Sequence, residues 1–363
     1  MVNLDAALRR LEAAEAAPHG PDIAKARLVI ISDGDPSHEN RALGVAEQLG
    51  HPDAEILQVR LRTGFWQYVL PYVAPFVPVA WWVENLPDVV REAGRCDVVM
   101  GSGALAGKMI ATIKRQLPEL FCVVLGQQFG GVVKVVDVLA AAQHEGVAKA
   151  ANVVITLAHP SRVSRVRTQQ EAERWAKRLA HVAGPQLRGP KVVVLLSGGK
   201  GGGPMQPAEV REVLEPVIKL VKKREGAVLL SASMRTGALA YELAQALLER
   251  AKIAHYAWAP GEATRRDNPY LAFLALADVV LVSATSPATV SDVATAGKPI
   301  LLWGDFASVP RRLRPFYAAL AKQWRLAWWN GTEEMLFNQR PPAAGMMDTA
   351  MIAGFVRARW GKR

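Results

Sequence analysis

The chain has 363 residues, half of them hydrophobic and 21% charged, which excludes a disordered or low-complexity protein and suits about two domains of roughly 150 residues each. Net charge is +11. Residues 1–185 hold 20 Lys and Arg against 19 Asp and Glu, and residues 186–363 hold 24 against 14, so the surplus favours an anionic partner for the C-terminal half: a nucleotide, a nucleic acid or an acidic membrane surface.

Met1 to Ala17 reads as an amphipathic helix with Asp5, Glu12 and Glu15 among its alanines, and it lacks the apolar core of a signal peptide. Arg27 to Ser32 is a short apolar run, predicted as a strand, with a Gly/Asp/Pro/Ser loop and a helix over His38–Leu49 behind it. Phe65 to Val83 then runs 19 residues without a charge. Pro71, Pro75 and Pro78 oppose a spanning helix, and Trp66, Trp81 and Trp82 mark the ends as an interfacial belt does. The segment reads as a buried irregular piece of core, as a patch resting on a bilayer, or as a membrane span.

Strands follow at Asp97–Gly101, Phe121–Leu125 and Asn152–Leu157, with a helical stretch to Arg115. Short apolar runs alternating with helices indicate a parallel sheet covered on both faces. Cys96 and Cys122 lie in apolar contexts and read as small buried hydrophobes. Their number and spacing suit neither a disulfide framework nor a zinc site, and fit a reducing cytoplasm.

Ala183 to Lys191 (AGPQLRGPK) carries two Gly/Pro pairs and is the expected interdomain linker, giving domains of 1–185 and 186–363. The alternation then restarts. Strands are predicted at Val192–Leu196, Ala227–Ala232, Ala254–Trp258 and Val279–Ser283, with a last one at Pro299–Trp303. Helices are predicted at Pro207–Lys223, Gly237–Arg250 and Pro269–Ala277, and from Thr289. The fold class expected is α/β, with two doubly wound Rossmann-like domains facing a ligand cleft at the carboxyl ends of their strands.

Four loops carry polar residues at such strand ends. In Ser32–Asn40 (SDGDPSHEN), His38 suits a general base oriented by Asp33 or Glu39; the plainer reading is a helix capped by Ser37 with His38 merely exposed. In Ser197–Gly203, Gly198, Gly199 and Lys200 suit a phosphate cradle ahead of a helix N-terminus, or only a flexible turn. Arg235, beside Thr236, suits a forked phosphate contact, or is a surface arginine. In Ser283–Asp292, the hydroxyls of Ser286 and Ser291 suit a diphosphate and Asp292 a ribose, while Ser, Thr and Asp also cap helices. The basic runs Lys219, Lys222, Lys223, Arg224 and Arg311, Arg312, Arg314 read as solvated ends, the second also as a contact for anionic lipid. Aromatics do not interleave with Lys and Arg, so nucleic acid is not an expected partner. No metal-ligand spacing is present.

The segments SDGDPSHENRALGVAEQLG (32–50), VVMGSGALAGKMIATIKR (98–115), NVVITLAHPSRV (152–163), VVVLLSGGKGGG (192–203), LLSASMRTGAL (229–239), DNPYLAFLALADVVLVSATSP (267–287) and VSDVATAGKP (290–299) together resemble one family. It is the bacterial and plant mitochondrial-fission "elongated mitochondria" (ELM1-like) family, grouped with GT-B glycosyltransferases. The resemblance implies a glycosyltransferase with a nucleotide sugar as donor substrate and neither cofactor nor metal. The donor would lie on Gly198–Gly203, Arg235, Thr236, Asn268 and Ser286–Asp292, and the acceptor near His38. Segment 65–83 would bring a lipid-linked acceptor or a membrane surface, placing the protein in the cytoplasm, peripheral on the inner membrane face. The sequence departs from the family pattern at Ser37, Arg41, Thr285 and Asp292. Those departures favour a rival reading, a membrane-docked adaptor that keeps the fold without the chemistry.

Overall fold

A computed structural model describes residues 21–62, 77–126, 131–184, 187–199, 203–261, 267–304, 306–324, 326–342 and 344–363. The expected N-terminal helix, Lys200 and most of segment 65–83 lie outside the described residues. Two compact units are present: one runs to Arg162 and takes in Met347–Arg363, and the other is Val163–Met346.

The first unit holds strands β1 (Leu28–Ser32), β2 (Glu55–Gln58), β3 (Val98–Ser102), β4 (Phe121–Leu125), β5 (Val138–Ala142) and β6 (Val153–Thr156), in the order β2-β1-β3-β4-β5-β6. All neighbours pair in parallel. Helices α1 (Pro36–Gln48), α2 (Leu86–Ala93) and α3 (Ala104–Gln116) connect the strands. The apolar runs have no polar alternation because the sheet is buried on both faces. Val29, Ile31, Val99 and Val124 pack on one face with Ala106 and Ile110 of α3. Leu28, Ile30, Met100 and Val123 pack on the other with Ala42 and Val45 of α1.

The second unit holds β7 (Lys191–Leu196), β8 (Ala227–Ala232), β9 (Ala254–Trp258), β10 (Val279–Ser283), β11 (Ile300–Trp303) and β12 (Ala327–Trp328), in the order β12-β11-β10-β7-β8-β9, again all parallel. Its helices include α4 (Arg165–Trp175), α5 (Pro207–Lys223), α6 (Ala238–Ala251), α7 (Tyr270–Leu276), α8 (Pro287–Thr295) and α9 (Arg314–Trp324). The expected two-domain, doubly wound α/β architecture is therefore present. The sheets are larger than expected: β2 and β5 were not anticipated, and β12 follows the strand expected to be last.

The compact units do not divide where the Gly/Pro run suggested. The chain changes unit at 162/163, and α4 packs against α7 within the second unit, with Trp175 edge-on to Tyr256 at 6.2 Å. The Gly/Pro residues only lead from that helical segment into β7. Helix α10 (Asp348–Trp360) returns to the first unit, where Ile352, Ala353, Val356 and Trp360 join the core beneath α1. Each large apolar side chain so buried is worth about 1.5–3 kcal/mol. Polar contacts fix its entry: Asp348 Oδ1 accepts the Leu157 N–H at 3.0 Å, and Thr349 Oγ1 accepts the Ser161 N–H at 2.9 Å.

Of segment 65–83, residues 77–83 are described. Val79–Trp82 forms one helical turn. Trp82 is wholly buried and Trp81 is 58% exposed. Among the described residues no helix is long and apolar enough to cross a membrane. Cys96 and Cys122 are buried free thiols, and burial pushes the Cys122 thiol up to about 12.

Candidate functional site

Both sheets reverse their winding direction beside their first strand: between β1 and β3 in the first unit, and between β7 and β10 in the second. Loops at the carboxyl ends of such strand pairs diverge and leave room for a ligand. The four polar loops singled out in the sequence leave β1, β7, β8 and β10, so all of them fall at or beside these switch points.

In the first unit the loop after β1 is built by its own side chains. Gly34, at φ +86°, turns the chain back so that its N–H reaches Ser32 Oγ at 2.9 Å. The Ser32 hydroxyl donates to Glu39 Oε1 at 2.7 Å, and Gln58 Nε2 donates to the same oxygen at 2.7 Å. Glu39 is buried; it anchors the loop to β2, and Asp33 is the carboxylate that meets the histidine. His38 Nδ1 lies 2.9 Å from Asp33 Oδ2 and 3.1 Å from Oδ1. Asp33 is almost enclosed, with a side-chain exposure of 7%, and His38 is 27% exposed. Because a carboxylate only accepts, Nδ1 carries the hydrogen and Nε2 presents a lone pair.

The helix cap falls elsewhere than the plainer reading placed it. Asp35 is the N-cap of α1, its Oδ1 accepting the Ser37 N–H at 2.7 Å, and Pro36 occupies the first helical position. Ser37 is inside the helix, which leaves His38 on the first turn facing the neighbouring loop. There it packs on Gly103, whose φ of +87° no other residue adopts cheaply. A Cβ on Gly103 would lie 2.4 Å from His38 Nδ1.

The first unit also gathers residues that sequence reasoning did not assign. A Cβ on Gly126 would lie 3.4 Å from Glu145 Oε1 and 3.8 Å from Arg41 Nη1. Glu145 Oε2 accepts the Ala142 N–H at 2.8 Å, and Oε1 is 3.8 Å from His159 Nδ1. His159 Nε2 is 3.2 Å from His144 Nε2. Burial first, then the charges of Arg41, His144 and His38, hold the His159 pKa well below 6.5, so His159 is neutral. His159 stands in one of the resembling segments, but nothing in its spacing ties it to His144, fifteen residues earlier on another strand end.

In the second unit the glycine loop and the turn after β8 are knit together. Met205 N–H donates to Thr236 O at 3.0 Å, and a Cβ on Gly198 would lie 3.5 Å from the Arg235 Cβ. Gly198 and the exposed Arg235 are therefore neighbours. Gly199 has a packing role: its N–H donates to Gly203 O at 2.9 Å, and a Cβ there would meet Glu209 Oε2 at 2.7 Å. Ser197 Oγ is buried without a hydrogen-bond partner among the described residues. Thr236 is buried, and its hydroxyl accepts the Ser233 N–H at 3.0 Å, closing the turn that displays Arg235.

At the third loop, Ser286 Oγ pairs with Thr289 Oγ1 at 2.8 Å, and the wholly buried Ser291 donates to Pro287 O at 2.7 Å. These hydroxyls bond within the start of α8, and the Ser286 side chain caps no backbone N–H there among the described residues. Thr285 pairs with Ser283 at 2.9 Å. Asp292 is half-buried and accepts from the Tyr270 hydroxyl at 3.0 Å. Asn268 is exposed, with Oδ1 accepting the Tyr270 N–H at 2.9 Å. The basic run on α5 is an ion-paired helix end, with Lys223 and Arg224 at 2.6 and 2.7 Å from Glu333. Among the described residues no group of three or more His, Cys, Asp or Glu side chains is placed to hold a metal ion.

Residues 36–360 match the model of a family described as Mitochondrial fission ELM1. No curated protein matches the chain in sequence. Solved structures of similar fold include MurG of Acinetobacter baumannii, at 18% identity and TM-score 0.43, with 86% of this chain and 89% of that chain covered. HepE of Anabaena in complex with UDP-glucose is similar at 12% identity and TM-score 0.46, with 93% and 95% covered. The calicheamicin glycosyltransferase CalG4 is similar at 11% identity and TM-score 0.47, with 93% and 94% covered.

Proposed function

The chain belongs to the Mitochondrial fission ELM1 family, and from that premise we propose that it is a metal-independent glycosyltransferase of the GT-B type, moving a sugar from a nucleotide sugar to a hydroxyl acceptor. The observation that carries this reading is the His38–Asp33 pair, 2.9 Å apart at the switch point of the first sheet. The acceptor hydroxyl gives its proton to His38 Nε2. Its oxygen bonds to the anomeric carbon, the carbon–oxygen bond to phosphate breaks, and the nucleoside diphosphate leaves with that electron pair. Asp33 holds the imidazole tautomer and stabilises the imidazolium that forms.

The donor belongs to the second unit, where the surplus of basic residues lies. Arg235 and the backbone around Gly198 meet the diphosphate; Asp292 and Asn268 meet the nucleoside. Thr236, Ser286 and Ser291 serve by shaping the turns. The acceptor is membrane-associated or lipid-linked in this reading. Exposed Trp81 is the described end of an apolar stretch that rests on the inner face of a membrane, with the protein peripheral and cytoplasmic.

The test is release of nucleoside diphosphate from a panel of nucleotide sugars in the presence of a lipid extract. His38→Ala lowers the rate about 10²–10⁴-fold with donor affinity nearly intact, and Arg235→Ala weakens nucleoside diphosphate binding far more than nucleoside binding. Equal rates for His38→Ala and wild type remove His38 as the base. Binding of a nucleotide sugar with no turnover by wild type supports the adaptor reading instead.

A further inference from the structure

The Asn268-Pro269-Tyr270 turn ends in a polar contact with no part in the proposed chemistry so far. Asn268 Oδ1 takes the Tyr270 N–H in an Asx turn, and Tyr270 opens α7. Ala272, Phe273 and Leu274 bury the body of that short helix. Its C-terminal end is closed by Lys298, whose Nζ donates to Ala275 O at 2.7 Å and Ala277 O at 2.9 Å. Both ends of α7 are thus pinned, which sets the position of the phenol ring. From there the hydroxyl reaches across to α8 and donates to Asp292 Oδ2 at 3.0 Å. Burial, then the Asp292 charge and the bond to it, hold the phenol well above its usual pKa of 10, so it remains a donor throughout the working pH range.

A carboxylate offers about four acceptor sites, and the bond from the fixed phenol takes one of them and orients the group. Half-buried on α8, Asp292 sits one helical turn beyond the loop that leaves β10 at the switch point. We propose that Tyr270 is a positioning residue for the nucleoside end of the donor, fixing the Asp292 carboxylate to accept hydrogen bonds from the ribose hydroxyls. This rests on the donor reading given above, and it predicts discrimination at the ribose, a property that packing alone does not confer.

The test uses the full chain and calorimetric titration with ADP, GDP, CDP and UDP, each beside its 2′,3′-dideoxy counterpart. Wild type binds at least one ribonucleotide about 10-fold or more tightly than its dideoxy form. Tyr270→Phe keeps the ring and removes the hydroxyl. Ribonucleotide affinity then falls about 10-fold while dideoxy affinity holds, so the ribose preference collapses; Asp292→Asn does the same. Equal losses for both nucleotide forms in Tyr270→Phe make Tyr270 a packing residue and overturn the proposal. So does a wild type with no ribose preference. Should Tyr270→Phe fail to fold, Asp292→Asn decides, and a ribose preference that survives it is equally fatal. Binding of none of the four diphosphates sinks the donor reading itself, an outcome distinct from binding without discrimination.

Discussion

Gly103→Ala isolates the link between backbone geometry and the histidine. Gly103 has φ +87° and ψ 164°, a region that costs a residue with a side chain about 1–3 kcal/mol. The added Cβ would stand 2.4 Å from His38 Nδ1 and 2.5 Å from Cε1. An ordinary contact needs about 1 Å more, so the ring must retreat and its 2.9 Å bond to Asp33 opens past hydrogen-bonding range. Gly131→Ala is the control: it sits at φ +76° with nothing among the described residues within 4 Å of its Cβ position. That substitution carries the left-handed penalty alone, about 1–2 kcal/mol. Both variants therefore melt a few degrees early, but only Gly103→Ala moves the His38 ring resonances in a proton–carbon NMR spectrum, assigned with His38→Gln. A Gly103→Ala spectrum in which His38 overlays wild type would refute the packing of His38 on Gly103, and with it the account of how the ring is aimed.

Two further outcomes are expected. Trp82→Ala removes a wholly buried indole and destabilises the protein by about 3–5 kcal/mol in a denaturant titration, whereas Trp81→Ser leaves the unfolding free energy within about 0.5 kcal/mol and lowers co-sedimentation with anionic liposomes; unchanged co-sedimentation would remove Trp81 from any membrane contact. Burial raises the Asp348 carboxyl to about 6, against backbone hydrogen bonds that lower it. A carboxyl raised in the folded state contributes stability below about pH 4, and that stability is lost as pH rises through about 6. Asp348→Asn keeps an acceptor for the Leu157 N–H, so it should match wild type near pH 4 and exceed it by about 3 kcal/mol at pH 7; a difference independent of pH would contradict the shift.

Much of the architecture is written in local pattern. Runs such as residues 28–31 and 279–282, apolar throughout, state by themselves that they lie in a sheet covered on both faces, and their alternation with helices states that the sheet is parallel. The edge strand Glu55–Gln58 is polar at both ends, and Val138–Ala142, though apolar, is mostly alanine, which has little preference for strands; their strand state comes from pairing with β1, β4 and β6. The Gly/Pro pairs at 183–190 mark a loop in any fold. Only the packing of α4 on α7 and the return of α10 beneath α1 decide that this loop lies inside a unit. Residue types and strand-end positions made His38, Asp33, Gly198 and Arg235 legible as candidates, because loops after parallel strands are where ligands go. What each polar group does there depends on partners distant in the chain. Glu39 turns to Gln58, Asp292 meets Tyr270, and His144 faces His159. A hydrogen bond between residues far apart in sequence exists only once the strands between them are ordered side by side, and that ordering is a tertiary fact.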